Sequence, residues 1–217
     1  MPVSHKHKVI FVHIPRTAGS SVSQVFGICG DDNQGTLTPA RPDMLYGLVG
    51  NKVLQHLTAS DIRKRLGKDV YESYFKFAFI RNPYDRAVSI YHVRKKLLPR
   101  VKMSFRDFVL KRITQKDRPG LTHFFRSKGE KALEDQFQSQ YEFIFDENGG
   151  SLVDLVVRYE SLQSDFKKIC DRFALKAELP AMNTSKHGKY REYYDADTQR
   201  AVADIYRKDI EMFGYEF

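Results

Sequence analysis

One short stretch near the start of the sequence combines side chains that bind anions. They are a guanidinium and three hydroxyl groups, on Arg16, Thr17, Ser20 and Ser21. The apolar, β-branched run Val9–Val12 before them is typical of a buried strand, and the pattern becomes helical from about Ser20. A strand, a tight turn and a helix N-terminus direct backbone N–H groups and the positive end of the helix dipole at whatever lies in the turn. Residues 15–21 therefore predict a phosphate-type anion site.

This turn differs from a Walker A loop. That motif requires a glycine, four intervening residues and then Gly-Lys-Ser/Thr. Here Ile14 stands at the first glycine position, and Ser20 follows Gly19 where the lysine would be. The positive charge, on Arg16, comes before the glycine instead of after it. An ATPase or GTPase would therefore lack its two main electrostatic contacts to the phosphates.

A second strand-to-helix junction carries further polar side chains. Residues 74–80 form an apolar run that predicts a strand, and Asn82 and Pro83 suit the cap and the first position of a following helix. Arg81 lies at the carboxyl end of this strand, and Ser89 comes about two turns into the helix. In a parallel α/β sheet, ligands bind at this edge.

Both junctions resemble those of the sulfotransferases, in particular the branch that acts on carbohydrates. Residues 13–21, His-Ile-Pro-Arg-Thr-Ala-Gly-Ser-Ser, are similar to the family's 5′-phosphosulfate-binding loop, with Arg16 where the family usually has lysine. Residues 77–89, Phe-Ala-Phe-Ile-Arg-Asn-Pro-Tyr-Asp-Arg-Ala-Val-Ser, resemble its 3′-phosphate motif. The resemblance implies that Arg81 and Ser89 bind the 3′-phosphate of 3′-phosphoadenosine 5′-phosphosulfate (PAPS). Its implied contacts to the 5′-phosphosulfate are Pro15, Arg16, Thr17, Ala18, Gly19, Ser20 and Ser21.

The same resemblance assigns roles to one histidine and two lysines. A lone histidine is more often structural than catalytic, but His56 occupies the family's place for the general base in order and in local setting. Arg16 would stabilise the leaving group. Lys186 and Lys189 correspond to a late loop that covers the nucleotide in the family, and a solvated loop is the alternative. The implied reaction moves a sulfuryl group from PAPS to a hydroxyl and releases 3′-phosphoadenosine 5′-phosphate (PAP), without a metal ion.

Length and composition are those of a packed globular protein. The chain has 217 residues, 41% of them hydrophobic, with 16 phenylalanines and 12 tyrosines. We expect a single domain over residues 1–217. The resemblance implies an α/β, P-loop-type three-layer fold with a central, mainly parallel sheet flanked by helices. Hydrophobic patterns predict further strands at residues 141–145 and 152–158, and helices at residues 59–66, 105–113, 159–173 and 195–213.

Charge and cysteine content bear on partners and compartment. A formal net charge of +9 suits anionic ligands, and the basic run at residues 94–102 is either a solvated helix face or a surface for an acidic acceptor. Two distant cysteines, Cys29 and Cys170, imply no disulfide framework. No signal peptide or transmembrane segment is evident, so we expect a cytoplasmic protein, with a shortened Golgi-type protein as the alternative.

The sequence favours an acceptor that is a carbohydrate hydroxyl, and no nucleic-acid partner is expected. Two other interpretations stay open at this stage. A P-loop kinase-like enzyme acting on a small metabolite would require Mg²⁺ and turn over ATP. A non-catalytic basic protein that binds glycans or nucleic acid would show salt-sensitive binding of oligoanions without PAPS turnover.

Overall fold

The computed structural model describes residues 3–26, 48–49, 52–53, 56–97, 100, 102–113, 135–175 and 188–217. These residues form two units, each with its own core. The first lies within Met1–Ile80 and Glu142–Asn183, and the second lies within Arg81–Tyr141 and Thr184–Phe217. One domain over residues 1–217 stays a prediction. Lys186 and Cys29 lie outside the described residues.

The strands of the described residues belong to the first unit. In chain order they are β1 (Val3–Ser4), β2 (Val9–Val12), β3 (Leu48–Val49), β4 (Lys52–Val53), β5 (Phe75–Ile80) and β6 (Leu155–Arg158). Four of them form a sheet in the order β1-β2-β5-β6, in which β2, β5 and β6 run parallel and β1 is antiparallel to β2. The carboxyl ends of β2, β5 and β6 consequently share one edge of the sheet. β3 and β4 form a separate antiparallel pair.

Helices account for most of the remaining regular structure. The α-helices are α1 (Gly19–Val25), α2 (Ala59–Leu66), α3 (Lys68–Ser73), α4 (Pro83–Leu97), α5 (Phe105–Phe108), α6 (Gln140–Ile144), α7 (Leu162–Arg172), α8 (Ala196–Ile205) and α9 (Arg207–Phe213). α5 continues as a π-helical turn over Val109–Ile113. Thr58 starts α2 in a reciprocal capping box with Asp61. Helices combined with a mainly parallel sheet confirm the predicted α/β class.

Aromatic side chains fill the core of the first unit. Strands β2 and β5, helix α7 and the residue that follows α1 contribute five buried phenylalanines, Phe11, Phe26, Phe77, Phe79 and Phe166. Burying each such side chain contributes about 1.5–3 kcal/mol. Because successive strand residues face opposite sides, Ile10 and Ala78 lie on the other face of the sheet, and they are fully buried as well. The sheet is thus covered on both faces, which explains why β2 and β5 are continuous apolar runs.

The second unit has a separate aromatic core around α4, α5 and α8. Its buried rings are Tyr84, Phe105, Phe108, Phe137 and Tyr206. Arg86 of α4 is also almost completely buried, and its guanidinium donates to the main-chain carbonyls of Gln136 at 2.9 Å and Gln138 at 3.0 Å. These bonds hold the segment before α6 against α4.

Three sequence predictions differ from the structure. The predicted strand at residues 141–145 is wrong, because this segment is helix α6, followed by an isolated β-bridge between Phe145 and Ser151. A short apolar run fits a buried helix and a strand equally well. The predicted final helix is interrupted at Tyr206, between α8 and α9. Arg94 is buried, so it does not belong to a solvated helix face.

Candidate functional site

The turn after β2 has a strained, closely bonded backbone. Ile14 N–H donates to the Val12 carbonyl at 3.1 Å, and the Thr17 hydroxyl donates to the Ile14 carbonyl at 2.8 Å. Arg16 (φ 73°) and Ala18 (φ 70°) both adopt the left-handed conformation. For residues with a Cβ this conformation costs roughly 1–2 kcal/mol each, so the surrounding contacts must enforce it. Such strain is typical of segments that are shaped for a ligand.

Gly19 ends this turn because no larger residue fits against His13. A Cβ at Gly19 would lie 1.8 Å from the His13 Nε2 atom, far inside van der Waals contact. The His13 ring is itself held by stacking on Phe11, with ring centroids 5.5 Å apart and planes 21° apart. Phe11 and His13 are two residues apart on one strand, so their side chains share a face. The turn is therefore packed from inside by the imidazole of His13.

Burial keeps the His13 imidazole uncharged. The side chain is 7% exposed. Loss of solvation, followed by the nearby His56 and the positive Arg16, places the pKa of His13 well below its ordinary value of 6.5. The neutral ring can pack against Gly19 without adding a second charge beside Arg16.

His56 lies directly beside this turn, although 43 residues separate it from His13 in the sequence. Its Nδ1 atom is 3.2 Å from the main-chain carbonyl oxygen of His13, and the two rings pack edge to face with centroids 4.7 Å apart. A carbonyl oxygen can only accept, so Nδ1 of His56 carries the hydrogen. In the neutral ring the lone pair is then on Nε2, which is the arrangement a general base requires.

Exposure varies along the predicted contact set of the turn. Pro15, Thr17 and Ser21 are buried, and the hydroxyl hydrogen of Thr17 is used within the turn. Arg16 and Ala18 are half-buried and remain accessible to a ligand. Ser20 lies in the first turn of α1, and Gly19 opens that helix.

Arg81 and Ser89 belong to the second unit. Arg81 directly follows β5, and its side chain is only 7% exposed, with Nε donating to the Asp85 carboxylate at 2.8 Å. Ser89 lies within α4 and is fully buried. Asn82 accepts a hydrogen bond from the Tyr84 N–H at 3.0 Å, which confirms it as the cap of α4.

Of the two predicted lysines, Lys189 lies within the described residues. Lys189 is exposed and precedes a 3₁₀ turn, Tyr190–Tyr193. Its nucleotide contact stays a prediction, as does that of Lys186.

The described ranges contain neither a cluster of metal ligands nor a helix suited to a bilayer. Within these residues, no group of three or more His, Cys, Asp or Glu side chains is arranged to hold a metal ion. Among the helices of the same residues, none has both the length and the apolar character needed to cross a bilayer.

Sequence reasoning missed four residues that shape these regions. The resemblance gives His13 no role and includes Asp85 only as part of the motif at residues 77–89, and Gln140 and Asp209 lie outside both motifs. A signal for Asp209 was present. It follows Val202 by seven residues and Tyr206 by three, so helical spacing places an acid on the buried face of the last helices.

Comparison with known proteins shows the family to which this chain belongs. The family model described as "Sulfotransferase family" matches residues 1–216, and the chain belongs to that family. Carbohydrate sulfotransferase 11 of Mus musculus is 22% identical over 239 residues, covering 98% of this chain and 66% of the relative. The Rattus norvegicus protein of the same name matches to the same extent. The chain thus spans slightly less than two thirds of these curated relatives.

A smaller relative and the solved structures complete the comparison. An uncharacterized protein of Archaeoglobus fulgidus is 29% identical over 132 residues, covering 60% of this chain and 94% of that protein. No solved structure matches the chain significantly.

Proposed function

We propose that the protein transfers a sulfuryl group from PAPS to a hydroxyl group of a carbohydrate. Membership of the sulfotransferase family and similarity to proteins named carbohydrate sulfotransferase 11 support this reaction class. The observation that carries the proposal is the contact of His56 with the turn after β2. The imidazole Nδ1 contacts the main-chain carbonyl of His13 beside a cationic, strained loop, and in the neutral form of this ring Nε2 is the proton acceptor.

The donor's sulfate end is assigned to the turn, residues 15–21. Arg16 provides a permanent charge, and Arg16 and Ala18 adopt left-handed backbone angles of the kind that occur in anion-binding turns. A positively charged turn that leads into a helix N-terminus fits a phosphosulfate anion.

His56 is the general base in this proposal. Nε2 takes the proton of the acceptor hydroxyl as its oxygen forms a bond to sulfur. The bond that breaks joins sulfur to the bridging oxygen of the 5′-phosphate, and the products are the sulfate ester and PAP. By analogy with phosphoryl transfer, the transition state is loose, so orientation and charge stabilisation supply most of the acceleration. Arg16 stabilises the negative charge that develops on the bridging oxygen.

Arg81 and Ser89 are assigned to the 3′-phosphate, and Lys186 and Lys189 to the outer part of the nucleotide. The Nε atom of Arg81 donates to the Asp85 carboxylate at 2.8 Å, and a planar guanidinium suits bidentate recognition of a phosphate. The ion pair with Asp85 fixes the direction of the Arg81 side chain.

The acceptor is proposed to be a glycan, and an anionic one is favoured by the exposed bases in the last turn of α4 and shortly after it. Lys95, Lys96, Arg100 and Lys102 are exposed, whereas Arg94 is buried and does not contribute to this surface. Four like charges on one segment attract carboxylated or sulfated sugars.

A transfer assay tests the proposal. The protein is incubated with sulfur-labelled PAPS and with neutral, carboxylated and sulfated oligosaccharides, with EDTA present, and parallel reactions contain ATP and Mg²⁺. We expect labelled oligosaccharide and PAP in equal amounts, with turnover that EDTA does not remove. ATP turnover without PAPS turnover would instead identify a kinase. Salt-sensitive glycan binding with neither reaction would identify a binding protein.

A further inference from the structure

The main chain of Arg81 is held by a single side-chain amide. Gln140 Oε1 accepts from the Arg81 N–H at 2.9 Å, and Gln140 Nε2 donates to the Arg81 carbonyl at 2.8 Å. Gln140 is fully buried. One amide thus satisfies both the main-chain donor and the main-chain acceptor of a single residue, in the manner of a neighbouring strand, directly after the end of β5.

Gln140 is in turn fixed by a buried carboxylate. Asp209 of α9 is fully buried and accepts from the Gln140 N–H at 2.9 Å and the Tyr141 N–H at 2.8 Å. The Ser139 hydroxyl donates to it at 2.5 Å, and Gln140 Nε2 lies 3.4 Å away. The carboxylate therefore caps α6 and holds the side chain of Gln140 in place. Such hydrogen bonds are needed because burying an unpaired carboxylate costs a large amount of free energy.

The side chain of Arg81 is fixed separately, through its ion pair with Asp85. Both the direction and the origin of the guanidinium are consequently determined before any ligand arrives. Such preorganisation increases affinity because less conformational freedom is lost on binding. The amide of Gln140 contacts only the backbone of Arg81 in these bonds, so it acts through that residue.

We infer that Gln140, held by Asp209, is the positioning residue for the arginine that binds the 3′-phosphate. The inference rests on the proposed assignment of Arg81 and identifies what makes that arginine effective. Gln140 does not contact the nucleotide. It sets the main-chain position from which Arg81 reaches the 3′-phosphate.

The test compares nucleotides with and without a 3′-phosphate. Binding of PAP and of AMP is measured by calorimetry for the wild type, Arg81→Ala and Gln140→Met. Methionine keeps the length of the side chain and removes the amide. We expect Gln140→Met to lower the affinity for PAP about tenfold and that for AMP less than about twofold. Unchanged AMP binding also reports that the variant is folded.

Two further variants separate positioning from general stability. Tyr206→Phe removes the bond from the Tyr206 hydroxyl to the Phe137 carbonyl, in the same unit and next to the same segment, but leaves the amide on Arg81. It should lower the Tm and leave the PAP-to-AMP preference unchanged. Asp209→Asn, which retains one acceptor oxygen, should reduce the preference in the same direction as Gln140→Met.

The outcomes distinguish this inference from the function on which it rests. A wild type without preference for PAP, or a preference that survives Arg81→Ala, would overturn the 3′-phosphate assignment and the inference together. A preference that is lost in Arg81→Ala and retained in Gln140→Met would overturn the inference alone. Equal losses for PAP and AMP in Gln140→Met would also overturn it, because they would show a purely structural role.

Discussion

The two regions proposed to bind the nucleotide are built by different means. The turn after β2 is shaped by packing and backbone conformation: the His13 ring lies against Gly19, and Arg16 and Ala18 adopt left-handed angles. Arg81 is instead held by hydrogen bonds. Its backbone exchanges two of them with the amide of Gln140, and its side chain donates to the Asp85 carboxylate. The first region should therefore respond to changes in volume, and the second to changes in hydrogen bonding and charge.

The largest effect is expected from removal of the proposed general base, which lies beside the turn after β2. His56→Ala should lower turnover by about 10²–10⁴-fold, because the acceptor proton then has no base, while binding of PAP should change little. Turnover and calorimetric binding are measured on the same preparation, with His5→Ala, an exposed histidine of the same unit, as the control. Near-normal turnover by His56→Ala would remove His56 from its proposed role.

Volume sensitivity is tested by Gly19→Ala. The added methyl group would collide with the His13 ring, so we expect a loss of about 1–3 kcal/mol in the free energy of unfolding, measured by urea denaturation. The matched control is Gly188→Ala. Its Cβ would meet the end of the flexible Glu192 side chain at 3.0 Å, and its effect should stay within about 0.5 kcal/mol. Equal effects of the two substitutions would contradict the packing of the turn by His13.

A pair of conservative substitutions compares the two arginines. Arg81→Lys removes the planar fork and its bond to Asp85, and should lower PAP affinity about tenfold. Arg16→Lys keeps the charge in a turn whose shape is set by the backbone, so transfer activity should change by less than about threefold. If Arg16→Lys proved the more damaging change, the contrast between the regions would fail.

The smallest effect is a dependence of stability on pH. The folded protein holds the pKa of His13 well below 6.5, so the unfolded chain binds more protons as the pH falls past 6.5. Stability should therefore decrease on acidification, by about 1 kcal/mol from this group between pH 7 and pH 5.5. Denaturation of the wild type and His13→Gln at both pH values measures it. The pH-dependent difference between the two proteins isolates His13 from His7, whose pKa is also lowered by partial burial.

The predictable parts of the molecule are those encoded by neighbouring residues. β2, β5, α2 and the start of α4 follow from apolar runs and caps that are local in sequence. The place of His56 came from a resemblance in order along the chain, and the structure sets that residue beside the turn. Its bond to the His13 carbonyl could not be predicted, because it joins residues that no local pattern connects.

One long-range interaction accounts for two of the failures. The N–H groups at the start of α6 are capped by Asp209, 69 residues after Gln140. When that cap is not known, residues 141–145 form a short apolar run that fits a strand. No local pattern then gives a role to Gln140, the polar residue before the run. The same carboxylate decides both the helix and the orientation of the amide that holds Arg81. A segment whose conformation depends on a distant acid cannot be assigned from its own residues.

The close contact of His13 with Gly19 also makes this imidazole a natural spectroscopic reporter. The ring touches the core through Phe11, the turn through Gly19 and the proposed base through His56. Its nitrogen-15 resonances would therefore shift when a ligand rearranges the turn or when His56 changes protonation. A single isotope-labelled side chain could follow both events in solution, without a probe attached to the protein.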